Sequence, residues 1–566
     1  VMVSSNFAII ITPANKINEI SNIVLRIVNI EVSTILTLNA ISPLEASGAP
    51  VFNNNPYLRL NGRGVLVGII DTGIDYLNKE FQREDDTTRI VRIWDQTIQG
   101  NKEIYSLKYG TEYTEDQINQ AIRLQASGGD PYSIVPSKDD IGHGTRMAGI
   151  IGGRGINPDL KGAASDCQFI IVKLSRATKV ELDVAVIDKT DVPSYSPWSA
   201  LLALRYIIAV ARELKRPVVV FEPLGSNMGS HTGNGIVEQS INNYSTQSGT
   251  VVVVPTGNQG NTDTHTEGII ENVGDVKDIE IRIGEKQRNL PIEIWINKPN
   301  RIKLSIISPS GEMIDNLDSK NANNERIKFL YEGTEMIVNF TSPELSTGDS
   351  HIFIRAYNLK AGIWKFRLTG QYIVEGKYYA WIPQRELLDS ETKFLNSVGY
   401  TTLTLSSTSN RAISVAYYNQ EDNSVVTESG RGYTRDKMIK PDIAAGGFNA
   451  IVTNPGGGTA VISGASVAGA VVAGCCVLIL QWAVTDKNYP DIYAEQIKAY
   501  IISGAKGRPG DVYPNKEWGY GMLDMNGIFD RIKDTYNPRK SEDYEEYRVN
   551  NLFIRIPKSR YNRTIN

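Results

Sequence analysis

Between residues 446 and 485 the chain carries no charged side chain, and the part over 461–484 is rich in Ala, Gly and Val. Such a run has to leave water, and its length alone would suit a bilayer or a protein core. It is entered through Gly456-Gly457-Gly458 and contains Ser463, Ser466 and Gln481. These features fit a buried core helix behind a glycine-rich turn better than a membrane span, so no membrane insertion is expected.

The rest of the sequence supplies such a core. Residues 64–70 form a continuous apolar run that ends at Asp71-Thr72-Gly73, the profile of a strand buried on both faces. Similar strands are expected over 169–174, 218–221 and 251–254, with helical patterns over 147–151, 199–214 and 235–244. Strands alternating with helices predict an α/β fold with a parallel sheet covered on both faces. From about Glu267 to Pro383 the period changes to two, with strands over 278–283, 291–296, 301–307, 326–331, 335–340, 351–357 and 362–368. Short strands separated by turn signals predict a β-sandwich. The α/β pattern resumes after Ser406, with a strand over 413–418 and a helix over 492–503. The expected organisation is a small α/β piece over 1–40, an α/β domain over 41–266 and 391–535, a β-sandwich inserted at 267–390, and a charged tail over 536–566 containing a strand-like run, 552–556.

Composition narrows the function classes. At about 150 residues per domain, a chain of 566 residues is expected to hold two to four domains, with one or two large ones also allowed. With 59 basic and 63 acidic residues the net charge is −4, so no basic excess exists to hold a phosphate backbone, and nucleic acid is not expected as a partner. Three cysteines cannot make a disulfide scaffold; Cys475 and Cys476 lie inside the apolar run and read as core packing in a reducing compartment. Any histidine chemistry must use one of His143, His231, His265 and His351. The last three stand in polar surroundings without metal-ligand spacing and read as surface residues. Residues 153–161 lack a convincing acidic cluster, so no metal and no cofactor are assigned. The apolar run over 7–11 is too short for a signal-peptide core, and no basic segment precedes it.

Three short segments carry chemistry together. Asp71-Thr72-Gly73 follows a buried strand, where open α/β sheets place their sites. Gly142-His143-Gly144-Thr145 opens one helix, and Gly464-Ala465-Ser466-Val467-Ala468 opens the apolar one. Taken singly, each is weak and reads more often as a turn, a helix cap or a structural residue than as chemistry. In this order, and with these neighbours, they resemble the Asp, His and Ser segments of the subtilisin-like serine proteases. Pro255-Thr256-Gly257-Asn258 resembles that family's oxyanion segment, and Leu224-Gly225-Ser226-Asn227 its cleft-lining segment. The resemblance covers about 57–265 and 395–530. It implies a subtilisin-like fold and a triad in which Ser466 attacks a peptide carbonyl, His143 moves the proton and Asp71 orients the imidazole. Asn258 would donate to the oxyanion, and Leu224, Gly225, Thr256 and Gly257 would line the substrate.

Finer similarities, at 93–98, 109–113, 430–435 and 517–521, point to the clostridial branch that includes the germination-specific Csp proteases. In that branch a jelly-roll module stands between the Asn and Ser segments, and an N-terminal prodomain is removed by self-cleavage and can stay bound. The resemblance therefore implies a jelly-roll-like insert, a prodomain remnant over 1–40 with its junction near 41–47, a protein or peptide substrate, and the chain's own prodomain as a partner. Ala465, Ala470, Val471, Arg146, Gly446-Gly447 and Pro223 depart from the family pattern without removing a triad atom. Pro223 bears most on substrate docking, since it lacks an N–H for an extended peptide. The competing reading is a catalytically silent relative that uses its cleft and β module as a scaffold.

Overall fold

The apolar run before Asp71 becomes the centre of the main sheet. In the computed structural model, which describes Lys16 and residues 41–100, 103–317, 323–536, 544–549 and 552–557, Leu66–Asp71 (β1) is buried along its whole length. The remnant expected over 1–40 lies, Lys16 aside, outside the described residues. Of the tail, Tyr544–Val549 and Leu552–Pro557 pair as an antiparallel hairpin.

In chain order the sheet takes β1, Ile90–Asp95 (β2), Thr111–Thr114 (β3), Gln168–Lys173 (β4), Val218–Phe221 (β5) and Thr250–Pro255 (β6). The longer helices among these are Glu115–Ala126 (α1), His143–Gly152 (α2), Pro197–Leu214 (α3) and Ile236–Tyr244 (α4), with a short one over Lys179–Val184. After the β-rich block come Ile413–Asn419, Ser424–Val425 and Ile443–Gly446, and then the helix Ala465–Leu480 (α5). Neighbours β6, β5, β1, β4 and β2 are all parallel, and Ile413–Asn419 continues the parallel set beside β6. Antiparallel β3 closes one edge and Ser424–Val425 the other, which makes the sheet mixed. Val67 and Ile69 of β1 face α2 and α5, while Leu66 and Ile70 face α3, so both sides of the sheet are covered.

The uncharged run ends as expected in a core helix. Among the described residues, Ala465–Thr485 is the one helix long and apolar enough to cross a membrane, and 94% of its most apolar 18-residue stretch is buried in protein. Ser466 is the single residue of α5 that is not buried. Cys167, Cys475 and Cys476 are free and buried.

The β-rich block contributes two antiparallel sheets. One holds Val276–Ile283, Arg301–Ile307, Met313–Leu317, Gly362–Tyr372 and Lys393–Phe394; the other holds His265–Ile269, Leu290–Ile296, Asn323–Lys328, Glu335–Thr341, Ser350–Tyr357 and Lys377–Trp381. Alternation puts every second residue between them: Trp364, Phe366 and Leu368 face Ile292, Ile294 and Ile352 in one apolar core. The strand expected over 326–331 stops at Lys328, because the chain reverses through a turn closed by the Phe329 N–H on the Thr334 carbonyl and the Gly333 N–H on the Phe329 carbonyl, both at 2.9 Å.

One expectation is overturned. His231 and His265 are each only 1% exposed, and His351 is mostly covered, where surface positions were expected. His231 and His265 stack on either side of Trp381, at ring separations of 4.1 and 4.4 Å, and His351 stacks on Trp295 at 4.1 Å. Their polar sequence neighbours are internal hydrogen-bond partners rather than signs of solvent.

Candidate active site

Asp71 ends β1 at the C-terminal edge of the sheet, with its side chain 2% exposed. One carboxylate oxygen accepts the N–H of Thr72 at 2.7 Å. His143 opens α2, and its Nδ1 lies 2.9 and 2.8 Å from the two carboxylate oxygens of Asp71. Nδ1 can only donate to a carboxylate, so Nε2 is left unprotonated in the neutral ring. The His143 side chain is 35% exposed, which leaves that edge open to a reactant. Burial pulls the imidazole pKa down, but the charge and hydrogen bond of Asp71 outweigh it, and the net direction is above 6.5.

A residue absent from the sequence expectations builds this corner. Buried Asp139 accepts the Thr72 hydroxyl (2.7 Å) and the Gly142 N–H (2.7 Å) on one oxygen. Its other oxygen accepts the Thr145 N–H (2.8 Å) and hydroxyl (2.6 Å). The Thr72 hydroxyl oxygen also accepts the Gly144 N–H (3.0 Å), and that of Thr145 accepts the Asp75 N–H (2.9 Å). One carboxylate thus ties the loop after β1 to the otherwise unsatisfied first turn of α2. Gly144 permits this approach, since a Cβ there would stand 2.1 Å from the Gly73 carbonyl oxygen. The available signal was an acid placed just before a helix start; adjacent Asp140 and the Gly142 cap obscured it. Asp139→Ala should cost on the order of 2–5 kcal/mol, because two buried N–H groups lose their acceptor. It should also lower kcat by about 10²-fold through loosening of His143. Denaturant unfolding and steady-state kinetics check both.

Ser466 stands in the first turn of α5, and α5 packs against α2, which carries His143. The neighbouring Ala465 N–H donates to Asn258 Oδ1 at 3.0 Å. That bond sets the amide orientation and leaves Nδ2 as a donor on an exposed residue. Because the bond uses the backbone of Ala465, the missing hydroxyl at this position does not weaken it.

The four cleft residues converge on another that the sequence did not single out. A Cβ on either Gly225 or Gly257 would stand 2.5 Å from the side chain of Thr404. Thr404 donates its N–H to the Thr256 carbonyl at 3.0 Å. Leu224 is half-buried against the core on the α3 side, Gly225 is exposed, Thr256 is buried and Gly257 half-buried. Thr404 therefore fills the gap between the two segments. It lies beyond the β-sandwich in sequence, where no local motif marks it.

Just before Pro223, burial pushes Glu222 up to about 7, with Glu238 adding to the rise against a hydrogen bond from Ser406. Between the ordinary 4.5 and about 7 the folded state keeps a proton that the unfolded state has lost, so stability falls as pH rises through that window. Glu222→Gln should be more stable than wild type at pH 8 by about 3 kcal/mol and gain little at pH 4.5. Unfolding curves at the two pH values check it.

One departure from the expected motif pattern, and the loop considered for a metal, have local partners. Arg146 donates to Asn454 Oδ1 at 3.1 and 2.8 Å. The loop at 155–157 donates three backbone N–H groups to the Glu80 carboxylate, at 2.6, 3.3 and 3.1 Å. Among the described residues no group of three or more His, Cys, Asp or Glu side chains is arranged to hold a metal ion.

Comparison with known proteins gives the family. The subtilase family (peptidase S8) model matches residues 62–278 and 394–521, more than half of the chain, and breaks across the β-rich block. The structure of the Clostridium perfringens CspB protease superposes with a TM-score of 0.78 at 29% identity, covering 88% of this chain and 98% of that one. A PII-type proteinase of Lacticaseibacillus paracasei is 22% identical over 80% of this chain. A PI-type proteinase of Lactococcus lactis subsp. cremoris is 24% identical over 41% of it. The chain spans only 24% and 11% of the lengths of those two relatives. Fold, ordered segments and family match lead to one conclusion: the chain belongs to the subtilase family of serine peptidases.

Proposed function

We propose that the protein is a serine endopeptidase that cleaves protein or peptide substrates with Asp71, His143 and Ser466. The observation that carries this reading is the Asp71–His143 contact at 2.8 Å, which leaves one imidazole nitrogen available as a base. In the proposed reaction Ser466 Oγ attacks the scissile carbonyl while His143 Nε2 takes its proton. Asp71 stabilises the resulting imidazolium, and the proton then passes to the leaving amine. Asn258 Nδ2 and the amino-terminal end of α5 stabilise the tetrahedral oxyanion. Leu224 and Gly225 on one side, and Thr256 and Gly257 on the other, bind the substrate chain, with Thr404 limiting the space between them.

The division into a catalytic domain over 41–266 and 391–535, a jelly-roll-like insert over 267–390 and a removable prodomain over 1–40 is part of the same reading. Self-cleavage of that prodomain, and a role in spore germination, rest on the resemblance to the clostridial branch. Ala465, Ala470 and Val471 are buried small or apolar residues at the head of α5, and their side chains do not enter the proposed chemistry. A fluorophosphonate probe tests the reading. It should modify the native protein at Ser466, located by peptide mass mapping, and lose that reaction on denaturation; an unmodified Ser466 in folded protein would refute it.

A further inference from the structure

The cleft segment 224–229 is held from two sides: within the catalytic domain the Leu405 N–H donates to the Ser226 carbonyl at 3.0 Å, and further partners come from the β-sandwich block. Gln384 donates its side-chain amide to the Gly225 carbonyl at 2.7 Å. Glu293 accepts the Gly229 N–H at 2.6 Å. Asn227 donates its side chain to Thr264 at 3.1 Å and to the Ile382 carbonyl at 3.4 Å. Glu293, Ile382 and Gln384 all belong to the β-sandwich block or its exit.

His231, at the end of the same segment, closes the arrangement. Its Nε2 is 2.8 Å from the Asn227 carbonyl and its Nδ1 is 3.0 Å from the Leu403 carbonyl, next to Thr404. Its ring lies flat on Trp381 of the block at 4.1 Å and 11°. Burial pushes its pKa down to about 4, so the ring is neutral at neutral pH and donates to one of the two carbonyls. Glu293 itself is held by the Trp295 indole N–H at 3.2 Å, with His351 Nε2 at 3.6 Å.

We infer that the inserted β-sandwich is the positioning element of the substrate cleft, acting on the backbone of 224–229 through Glu293 and Gln384 and on both cleft walls through His231 seated on Trp381. The inference rests on the proposed role of Leu224 and Gly225 in substrate binding. It makes Glu293, Gln384 and His231 positioning residues, which touch neither the scissile bond nor the triad. Their loss should weaken the docking of an extended peptide and leave the reactivity of Ser466 alone. A residue that merely supported the fold would lower both together.

The test uses the full chain with Glu293→Ala, Glu293→Gln and Gln384→Ala. Gln384 is half-buried and makes a single hydrogen bond to the segment, so its variant folds even where Glu293→Ala does not. Two readouts are taken: amide hydrogen exchange over 224–229, and KM for a peptide with four residues before the scissile bond alongside the rate of fluorophosphonate labelling. Glu293→Ala should speed exchange at Gly229 by about tenfold or more, with β1 and β5 still protected. Both alanine variants should raise KM about three- to tenfold, the size of a lost hydrogen bond, at an unchanged labelling rate. Glu293→Gln keeps an acceptor and should restore both values. Exchange that stays unchanged, or that rises throughout the catalytic domain, overturns the inference; so does an unchanged KM. Failure of wild type to label would refute the protease reading instead, and the exchange result still decides this one.

Discussion

Ser466→Ala should lower kcat by on the order of 10⁶-fold, the loss that follows removal of the nucleophile in subtilisin, with stability unchanged within about 0.5 kcal/mol. The structure separates the two effects cleanly. Ser466 is the one residue of α5 that is not buried, so removing its hydroxyl opens no cavity and strands no buried partner. Alanine is also the better helix former. The proposed oxyanion donor is untouched, because Asn258 is oriented by the Ala465 N–H and not by the serine side chain. Some turnover above the uncatalysed rate, about 10³–10⁴-fold, should therefore persist. Initial rates with excess protein and a thermal melt measure both quantities. A drop of less than about 10²-fold in kcat would mean that another group is the nucleophile.

Asp71→Asn should cost about 10⁴-fold in kcat at neutral pH while leaving the packing at the end of β1 in place. An amide is nearly isosteric with the carboxylate, yet it can present an N–H to His143 Nδ1. The ring then carries its proton on Nε2, where the base is needed. The pH profile provides a second signature. In the proposed mechanism the general base works only after His143 loses its proton, and Asp71 holds that step above 6.5. The acidic limb of kcat/KM should accordingly move to lower pH in the variant. Linkage gives a matching stability effect. Because the folded-state pKa is raised, the His143–Asp71 interaction stabilises fully below about 6.5, and that contribution is lost as pH rises through the folded value. Asp71→Asn should remove this pH dependence. A pH–rate profile and unfolding at pH 5.5 and 8.5 read both; a profile that stays in place would assign the limb to another group.

These expectations and the positioning network differ in how visible they are along the chain. Asp71, His143, Asn258 and Ser466 each sit in a short segment whose neighbours have to be small or helix-forming, so a few adjacent residues announce each position. The alternation of apolar runs likewise announced β1, β4, β5 and β6, and period two announced the sandwich. β2 and the edge strand β3 were harder: β2 carries Arg92 within its apolar run, and β3 is only four residues long. Asp139 lies four residues before His143, but it matters through Thr72, 67 positions away. Thr404 meets Gly225 and Gly257 from beyond the whole inserted block. The three other histidines looked polar and exposed because their partners, Trp381, Trp295 and Glu293, are distant in sequence.

By itself, then, the sequence determined the family, the alternating layers, the buried nature of the uncharged helix and the residues of the proposed triad. These depend on local spacing and on the period of apolar side chains, which any folded version of the chain must obey. Tertiary structure alone decided how those residues are held: which carboxylate anchors the histidine loop, what fills the cleft between its two glycines, and which module grips its wall. Such contacts join residues that are far apart in the chain, and they are set by the geometry of packed elements rather than by any pattern a short stretch can carry.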